Sequence, residues 1–263
     1  MVVTFQAAVE GGHPTADGLL AEVIRGAARL IAHSRAGAAN IERIAGLAPG
    51  TVAILPPGVP AADFAPRGEM PDTDPPTLVF LGRLVDCKGA DTAIDAVARL
   101  QGRARLCLVG DGPDRGRLEA AVAARGLGPL VRFEGLVEDR RRCQILAQSF
   151  AMLVPSRHEE LFGMVAVEGA LSGLPVIASA IGGLTDILRP GETGFLCPPG
   201  DAAAMAAAVE TLLRDPGLAR RMGAAGRARA LAEYSVERMT DAHERIYRAC
   251  LAQPLAGSDV ARA

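Results

Sequence analysis

Two glutamates, Glu160 and Glu168, are separated by seven residues, of which Gly163 is one. If one helix held both, a rise of about 1.5 Å per residue would separate the carboxylates by about 12 Å along its axis. A helix that begins near Gly163 instead leaves Glu160 in the preceding loop. The backbone N–H groups from Phe162 to Met164 then face an anion at the positive end of the helix dipole. This spacing predicts carboxylates and free amides around one anionic ligand.

Two basic residues, Arg83 and Lys88, could oppose these carboxylates. They follow an apolar run, and Lys88 is the single lysine among 28 lysine and arginine residues. A lysine ammonium is a compact point charge and an arginine guanidinium is a planar fork, so the two are not interchangeable at a phosphate. Cations that hold a diphosphate and carboxylates that hold hydroxyl groups together fit a nucleoside-diphosphate sugar.

A repeating pattern of short apolar runs and amphipathic stretches must position these residues. Between residues 77 and 200 the apolar runs predict strands at 78–81, 106–109, 131–133, 151–154, 176–178 and 194–196. Strands that alternate with helices form a parallel sheet covered on both faces. We therefore predict an α/β fold with one complete Rossmann-like domain. Upstream, three further strands are predicted at 2–5, 30–33 and 52–55.

The strand ends place the remaining candidates. In an open parallel sheet, ligands bind beyond the carboxyl ends of the strands, where the strand order reverses. With the common order 3-2-1-4-5-6, the first and fourth strands of this domain are neighbours. Arg83 and Lys88 then lie opposite Glu160. Further candidates for ligand binding follow strand ends: Gly82, Gly110, Gly135 and Val137.

Prolines and acidic residues at 66–76 predict a linker, because they supply no apolar periodicity. This places a domain boundary near residue 70. We predict four parts: an incomplete N-terminal α/β domain with the linker at 1–70, the Rossmann-like domain at 71–234, a final helix at 235–251 and a frayed tail at 252–263.

Composition argues against several classes of function. No apolar run is long enough for a membrane span, and the start lacks the basic residues of a signal peptide, so we expect a cytoplasmic protein. The net charge of −2, two tyrosines and no tryptophan argue against a nucleic-acid partner. The five cysteines form no CxxC pair, which argues against zinc and disulfides. The cluster Arg140-Arg141-Arg142 is interpreted as a solvated helix face.

Taken together, the motifs resemble those of the family-4 retaining glycosyltransferases of the GT-B fold. The resemblance covers about residues 77 to 200. It is carried by Gly82-Arg-Leu-Val-Asp-Cys-Lys88-Gly89, Leu108-Val-Gly-Asp-Gly-Pro113, Phe133-Glu-Gly135, Pro155-Ser156, Glu160-x7-Glu168, Gly173-x-Pro175 and Gly182-Gly183.

The resemblance implies sugar transfer from a nucleoside-diphosphate sugar with retention at the anomeric carbon, and without a metal or other cofactor. It implies that Arg83 and Lys88 hold the diphosphate, Glu160 the transferred sugar and Glu168 the ribose. The backbone from Gly135 to Val137 would meet the base, and the amides of Phe162 and Gly163 the sugar and phosphate. The helix from Ser235 would cross back onto the N-terminal domain.

The chain also departs from the family pattern. Asp186 stands where the family usually has glutamate, and residues 1–65 resemble only the end of the family's N-terminal domain. Whether Gln6 or His13 corresponds to the family's acceptor-side histidine stays open. The acceptor is unknown, and we expect a homo-oligomer or a partner chain that completes this domain. Peripheral membrane association also stays open.

Three functions remain. The first is an active glycosyltransferase, and the second is a nucleotide-sugar-binding module or half-enzyme without its own transferase activity. The third is a sugar-nucleotide epimerase of the same fold, whose usual motifs differ from those in this chain.

Overall fold

The computed structural model describes residues 2–5, 14–64, 74–158 and 160–252, which form two parallel sheets. The first sheet has the order β1-β2-β3 and carries two helices. Its elements are β1 (Val2–Phe5), α1 (Pro14–Arg25), β2 (Arg29–Ala32), α2 (Arg35–Ala45) and β3 (Ala53–Ile54). The three predicted upstream strands are therefore present, each within two residues of its expected ends.

The second sheet has six strands in the order β6-β5-β4-β7-β8-β9, all parallel. This is the predicted order 3-2-1-4-5-6. The strands are β4 (Thr77–Leu81), β5 (Arg105–Val109), β6 (Val131–Gly135), β7 (Ala151–Val154), β8 (Val176–Ser179) and β9 (Gly194–Cys197). The helices are α3 (Ala90–Arg99), α4 (Arg115–Ala124), α5 (Asp139–Ala147), α6 (Met164–Leu171), α7 (Leu184–Ile187), α8 (Ala202–Arg214), α9 (Pro216–Glu233) and α10 (Val236–Ala252).

Helices cover both faces of the six-stranded sheet, so the middle positions of its central strands are apolar on both faces. Along β4, Leu78 and Phe80 point into one core with α3, while Val79 points into the other core with α6. Side chains of successive strand residues face opposite sides, which explains this alternation. The sheet is therefore buried on both faces, as an unbroken apolar run predicts.

The first sheet has its own smaller core. Ile24 of α1, Leu30 of β2 and Ile41 of α2 are buried together there. The start of α2 is fixed by Ser34, whose side-chain oxygen accepts a hydrogen bond from the backbone N–H of Gly37 at 3.0 Å. This is an ordinary N-cap and sets where the helix begins.

The final helix packs against the segment that follows β3. The backbone N–H of Val59 donates to the carbonyl of Tyr234 at 2.8 Å, and a Cβ on Gly58 would lie 2.6 Å from Cα of Val236. The helix predicted from Ser235 thus exists as α10, and its start contacts the unit of the first sheet. Within the described ranges, no helix is long and apolar enough to cross a membrane.

Several sequence predictions fall on residues that the structure does not describe. They are the boundary near residue 70, most of the linker and tail, and Gln6 and His13. The four-part division of the chain stays a prediction.

Candidate functional site

A charged pair joins two loops at the carboxyl edge of the six-stranded sheet. Lys88 follows β4 and Glu160 follows β7, and the two strands are neighbours where the strand order reverses. Nζ of Lys88 donates a hydrogen bond to Oε2 of Glu160 at 2.6 Å. The Glu160 side chain is 14% exposed and that of Lys88 is 35% exposed. The predicted juxtaposition of the lysine and the glutamate is therefore present.

The Glu160 carboxylate is held in one orientation. The hydroxyl of the buried Ser156 donates to the same oxygen, Oε2, at 3.0 Å. The other oxygen, Oε1, accepts no hydrogen bond from the described residues. Lys88 has three N–H donors and gives one of them to Glu160. Both side chains therefore keep hydrogen-bonding capacity for a ligand. The sequence did not identify this role of Ser156.

Gly163 ends the loop and starts α6, which begins at Met164. Its φ of 103° and ψ of 52° lie in the left-handed region, and a Cβ there would lie 2.6 Å from Cδ2 of Leu184. Glycine is therefore required by the backbone and by the packing of α7. The N–H groups of Gly163 and Met164 form no hydrogen bond with the described residues, so they are available to an anion. The predicted helix start is confirmed.

A cavity of about 550 Å³ opens beside this pair and reaches to the first sheet. Its volume lies within the range of about 300–1,000 Å³ that is common for small-molecule sites. Six of the predicted site residues line it, together with residues from the first sheet's unit. The predicted residues are Gly82, Lys88, Glu160, Phe162, Gly163 and Met164, and His33 and Pro57 come from the other side.

Three glycines bring the ends of β4, β5 and β6 close together. The N–H of Gly82 donates to Val109, and that of Gly110 donates to Gly135 at 2.8 Å. A Cβ on Gly110 would lie 1.9 Å from the carbonyl oxygen of Gly82, and the φ of Gly110 is +130°. A side chain at this position would therefore separate the strand ends. Gly82 and Gly110 directly follow their strands, as predicted, while Gly135 is the last residue of β6.

The other predicted residues lie at the same edge but outside the lining of this cavity. The Arg83 side chain is exposed and has no ion-pair partner among the described residues. Val137 packs its side chain against the core that contains α6, while Leu136 beside it is 81% exposed. Arg83 and the segment around Val137 are thus free to contact a ligand that extends beyond the cavity.

Glu168 lies in the second turn of α6, and its side chain is 14% exposed. Its closest charged neighbour is Arg142 of α5, whose Nε atom lies 3.5 Å from Oε2 of Glu168. Burial raises the pKa of the Glu168 carboxyl above its ordinary value, and the charge of Arg142 opposes that rise. Glu168 is therefore a partly desolvated carboxylate.

The interpretation of Arg140 to Arg142 as a solvated helix face is wrong for Arg142. Its side chain is 26% exposed and its guanidinium lies 5.9 Å from the ring centre of Phe64. Residues three or four apart share one face of a helix. Arg142 precedes the buried Ile145 and Leu146 by three and four residues, so the periodicity of α5 could have revealed its inward direction.

Among the residues that the structure describes, no three histidine, cysteine, aspartate or glutamate side chains lie close enough together to hold a metal ion.

The family model for glycosyl transferases group 1 matches residues 63–229, more than half of the chain. The chain therefore belongs to this family of glycosyl transferases.

The relatives of the chain include longer proteins. Glycogen synthase of Mycobacterium tuberculosis is 32% identical over 201 residues, which are 75% of this chain and 48% of that protein. The chain thus spans about half the length of such curated relatives.

Two solved structures share the fold. Sucrose-phosphate synthase of Thermosynechococcus elongatus has a TM-score of 0.82 at 29% identity, over 95% of this chain and 68% of that one. The Anabaena protein HepE, solved in complex with UDP and glucose, has a TM-score of 0.80 at 22% identity, over 96% and 71%. These likenesses confirm the predicted GT-B-like α/β fold with its parallel sheets.

Proposed function

We propose that this chain carries the donor site of a family-4 glycosyltransferase, which moves a sugar from a nucleoside-diphosphate sugar to an acceptor with retention of anomeric configuration. The proposed transfer needs no metal, because Lys88, Arg83 and the first amides of α6 supply the positive charge that the diphosphate requires. The nucleotide sugar itself is a substrate and not a cofactor. The observation that carries the proposal is the Lys88–Glu160 pair, held beside the free amides of α6 at the reversal of strand order.

The chemistry of the reaction fits this arrangement. Negative charge grows on the diphosphate as the bond to the sugar breaks, so cations and amides that are already in place stabilise the transition state. Lys88 supplies its two remaining N–H donors. Arg83 supplies an exposed guanidinium that is not paired with another described residue, so a ligand can contact it without breaking an ion pair. The first N–H groups of α6 add a positive dipole end. These groups bind the diphosphate and stabilise the negative charge that develops on it during the reaction.

Carboxylates hold the hydroxyl groups of the donor. Glu160 directs its free oxygen Oε1 to the transferred sugar, while Ser156 and Lys88 fix Oε2. Glu168 accepts from the ribose, and its neighbour Arg142 balances its charge. The backbone from Gly135 to Val137 contacts the base. The position of Glu160 after β7 and of Gly135 at the end of β6 supports these proposed contacts, and Glu168 lies nearby in the second turn of α6.

The competing function is a nucleotide-sugar-binding module that lacks transferase activity. The chain spans about half of its curated relatives, and an acceptor surface in the other half of such proteins would be needed for turnover. A partner chain or a second copy could supply it, since β1 has a hydrogen-bonded neighbour on only one side within the described sheet. The cell interior, with or without contact to a membrane surface, is the proposed location.

A donor screen tests the proposal. The purified chain is heated with UDP-, GDP- and ADP-sugars in turn, and we expect one of them to raise the melting temperature. Lys88→Ala and Glu160→Gln should each weaken binding of that donor by about tenfold, which corresponds to the loss of one charged hydrogen bond. Arg99→Gln removes an exposed charge on α3 and serves as the control.

Release of nucleoside diphosphate separates the two functions. Release of the nucleoside diphosphate from the identified donor, undiminished by EDTA, supports transfer or hydrolysis without a metal. The anomeric coupling constant of the glycosylated product tests retention. Binding without release supports the binding module. No binding of any nucleotide sugar by a folded chain would overturn both.

A further inference from the structure

A second cavity, of about 610 Å³, lies between the two units on the other side of Phe162 and His33. These two residues line both cavities and form their common wall. We call the second cavity the arginine pocket after the four arginines that line it. They are Arg35, Arg189, Arg229 and Arg238, and the acidic residues Asp186 and Glu233 lie among them.

The carboxylates of the arginine pocket are already engaged. Asp186 accepts a hydrogen bond from Nε of Arg35 at 2.6 Å, and Glu233 forms an ion pair with Arg229 at 2.9 Å. Four guanidinium groups thus face two carboxylates. The lining carries an excess of two positive charges, which no described residue of the lining neutralises.

Several of the guanidinium donors are unused. Arg238 is exposed, and its side chain has no partner among the described residues. Arg229 lines the cavity, but its Nη2 atom already donates to the carbonyl of Asp186 at 2.9 Å and pairs with Glu233, and its Nε atom is buried out of reach of a ligand. Arg189 lies no closer than 3.8 Å to its acidic neighbour Glu192. Arginine donors in a planar fork suit oxyanions with several acceptor oxygens.

We propose that the arginine pocket binds the phosphoryl group of a small phosphate monoester. A dianion matches the excess of two positive charges and offers oxygens to the unused guanidinium donors of the lining. The cavity is larger than a bare phosphate needs and lies in the usual size range of small-molecule sites, about 300–1,000 Å³. Its apolar lining, Ile54, Pro56 and Leu188 among others, contacts the remainder of the molecule.

This binding site is separate from the donor site and does not require that the chain transfers sugar. Two sources could supply the same phosphoryl chemistry: an acceptor that carries a phosphate, whose hydroxyl reaches past the common wall, or a free phosphorylated metabolite that links the two units without reacting. In either case the ligand contacts Arg35 of the first unit and Arg229 of the second.

Calorimetry of the full chain with sn-glycerol 3-phosphate tests the site. Arg238→Gln removes a side chain without an internal partner and should leave the fold unchanged, while Arg229→Gln removes the positive charge of the most buried arginine of the lining. We expect each change to weaken binding by about tenfold, the effect of losing one guanidinium–phosphate contact. Arg248→Gln, which makes the same charge change on the exposed side of α10, should leave binding unchanged.

Three results would overturn the proposal. The unaltered chain could fail to bind the phosphate ester, or Arg248→Gln could weaken its binding as much as the pocket variants do. Alternatively, Lys88→Ala could abolish ester binding while the pocket variants leave it unchanged. The last result would assign the phosphate to the donor cavity. Conversely, a Lys88→Ala chain that loses nucleotide sugars but keeps the ester would support the arginine pocket independently of the donor site.

Phosphorus NMR with the identified donor distinguishes the two sources. New resonances from a glycosylated phosphate ester indicate an acceptor. An unchanged ester that alters the affinity for the donor indicates a metabolite that acts from outside the reaction. Both outcomes require the site and should disappear in the Arg229→Gln, Arg238→Gln double variant.

Discussion

Nε of Arg142 lies 3.5 Å from Oε2 of Glu168, and both atoms are buried without a hydrogen bond to the described residues. The charges attract each other, although the two atoms do not meet the geometry of a hydrogen bond. Because both atoms are buried, a ligand reaches Glu168 through its other carboxylate oxygen, Oε1. Arg142 is therefore suited to balance the charge of Glu168 and to orient it for the proposed contact with the ribose.

Replacing Arg142 should weaken donor binding even though sequence reasoning gave it no role. Arg142→Gln leaves Glu168 partly buried without its counter-charge, so the carboxylate is less favourably ionised and less well oriented. We expect affinity for the donor to fall by about tenfold and the free energy of unfolding to fall by about 1–2 kcal/mol. Calorimetry and urea denaturation measure the two effects.

Arg140→Gln is the matched control, because Arg140 is exposed on the same helix and has no partner among the described residues. It should change neither quantity appreciably. If both variants lost affinity equally, general charge on α5, and not the contact with Glu168, would be responsible.

The raised pKa of Glu168 predicts a pH dependence of stability. Its first cause is burial, with Arg142 opposing it. A pKa raised by folding means that the native state favours the protonated carboxyl. The stabilisation is complete below the ordinary value of 4.5 and is lost as the pH rises through the folded pKa. Glu168→Gln removes this titration.

The stability of Glu168→Gln relative to the unaltered chain should therefore increase from pH 4.5 upward and level off above the folded pKa. Urea denaturation at several pH values measures the difference, and Glu237→Gln on the exposed start of α10 should show no such trend. A difference between Glu168→Gln and the unaltered chain that stays constant with pH would show that burial does not disfavour the Glu168 carboxylate.

The sequence predicted the position of Glu160 and the start of α6 because both depend on local rules. Strand periodicity locates β7, and glycine at 163 marks the only residue type whose backbone easily enters that turn. The strand order then follows from a common topology, which brings Lys88 to Glu160. These predictions needed no knowledge of side-chain packing.

Arg142 and the arginine pocket were not predicted, since each depends on packing between elements that are separated in the sequence. The role of Ser156 was missed for another reason: it lies four residues before Glu160, and its hydrogen bond depends on how that loop folds. Arg142 meets Glu168 only because α5 lies beside α6. Similarly, Arg35 and Arg229 are far apart in the chain and converge only when the two units are in place. Charge in the sequence does not reveal such contacts, because arginines on exposed helix faces, such as Arg99 and Arg140, look the same in the sequence.

Asp186 should be important for joining the two units. Its carboxylate accepts hydrogen bonds from the backbone N–H of Arg35 at 2.7 Å and from Nε of the same residue at 2.6 Å. Asp186→Ala removes both acceptors, whereas Arg35→Ala keeps the bond to the backbone. We therefore expect Asp186→Ala to lower the melting temperature more than Arg35→Ala does. Equal melting temperatures for the two variants would show that the backbone contact contributes nothing.

Gly163 should tolerate substitution poorly. Alanine there must adopt a φ of 103° and place Cβ 2.6 Å from Cδ2 of Leu184, so backbone strain and a steric clash combine. We expect Gly163→Ala to lower the free energy of unfolding by about 1–3 kcal/mol. Relief of this strain and clash would displace the backbone at the start of α6 and move its first N–H groups, so affinity for the donor should fall as well.

Gly116→Ala is the matched control for Gly163→Ala. Gly116 lies in α4 with ordinary backbone angles, and no heavy atom lies within 4 Å of a Cβ built on it. Alanine is favoured over glycine in helices, so this change should raise stability by up to about 1 kcal/mol without affecting donor binding. Urea denaturation and calorimetry separate the two variants. If Gly163→Ala behaved like Gly116→Ala, the left-handed turn before α6 would not be needed to form the donor site.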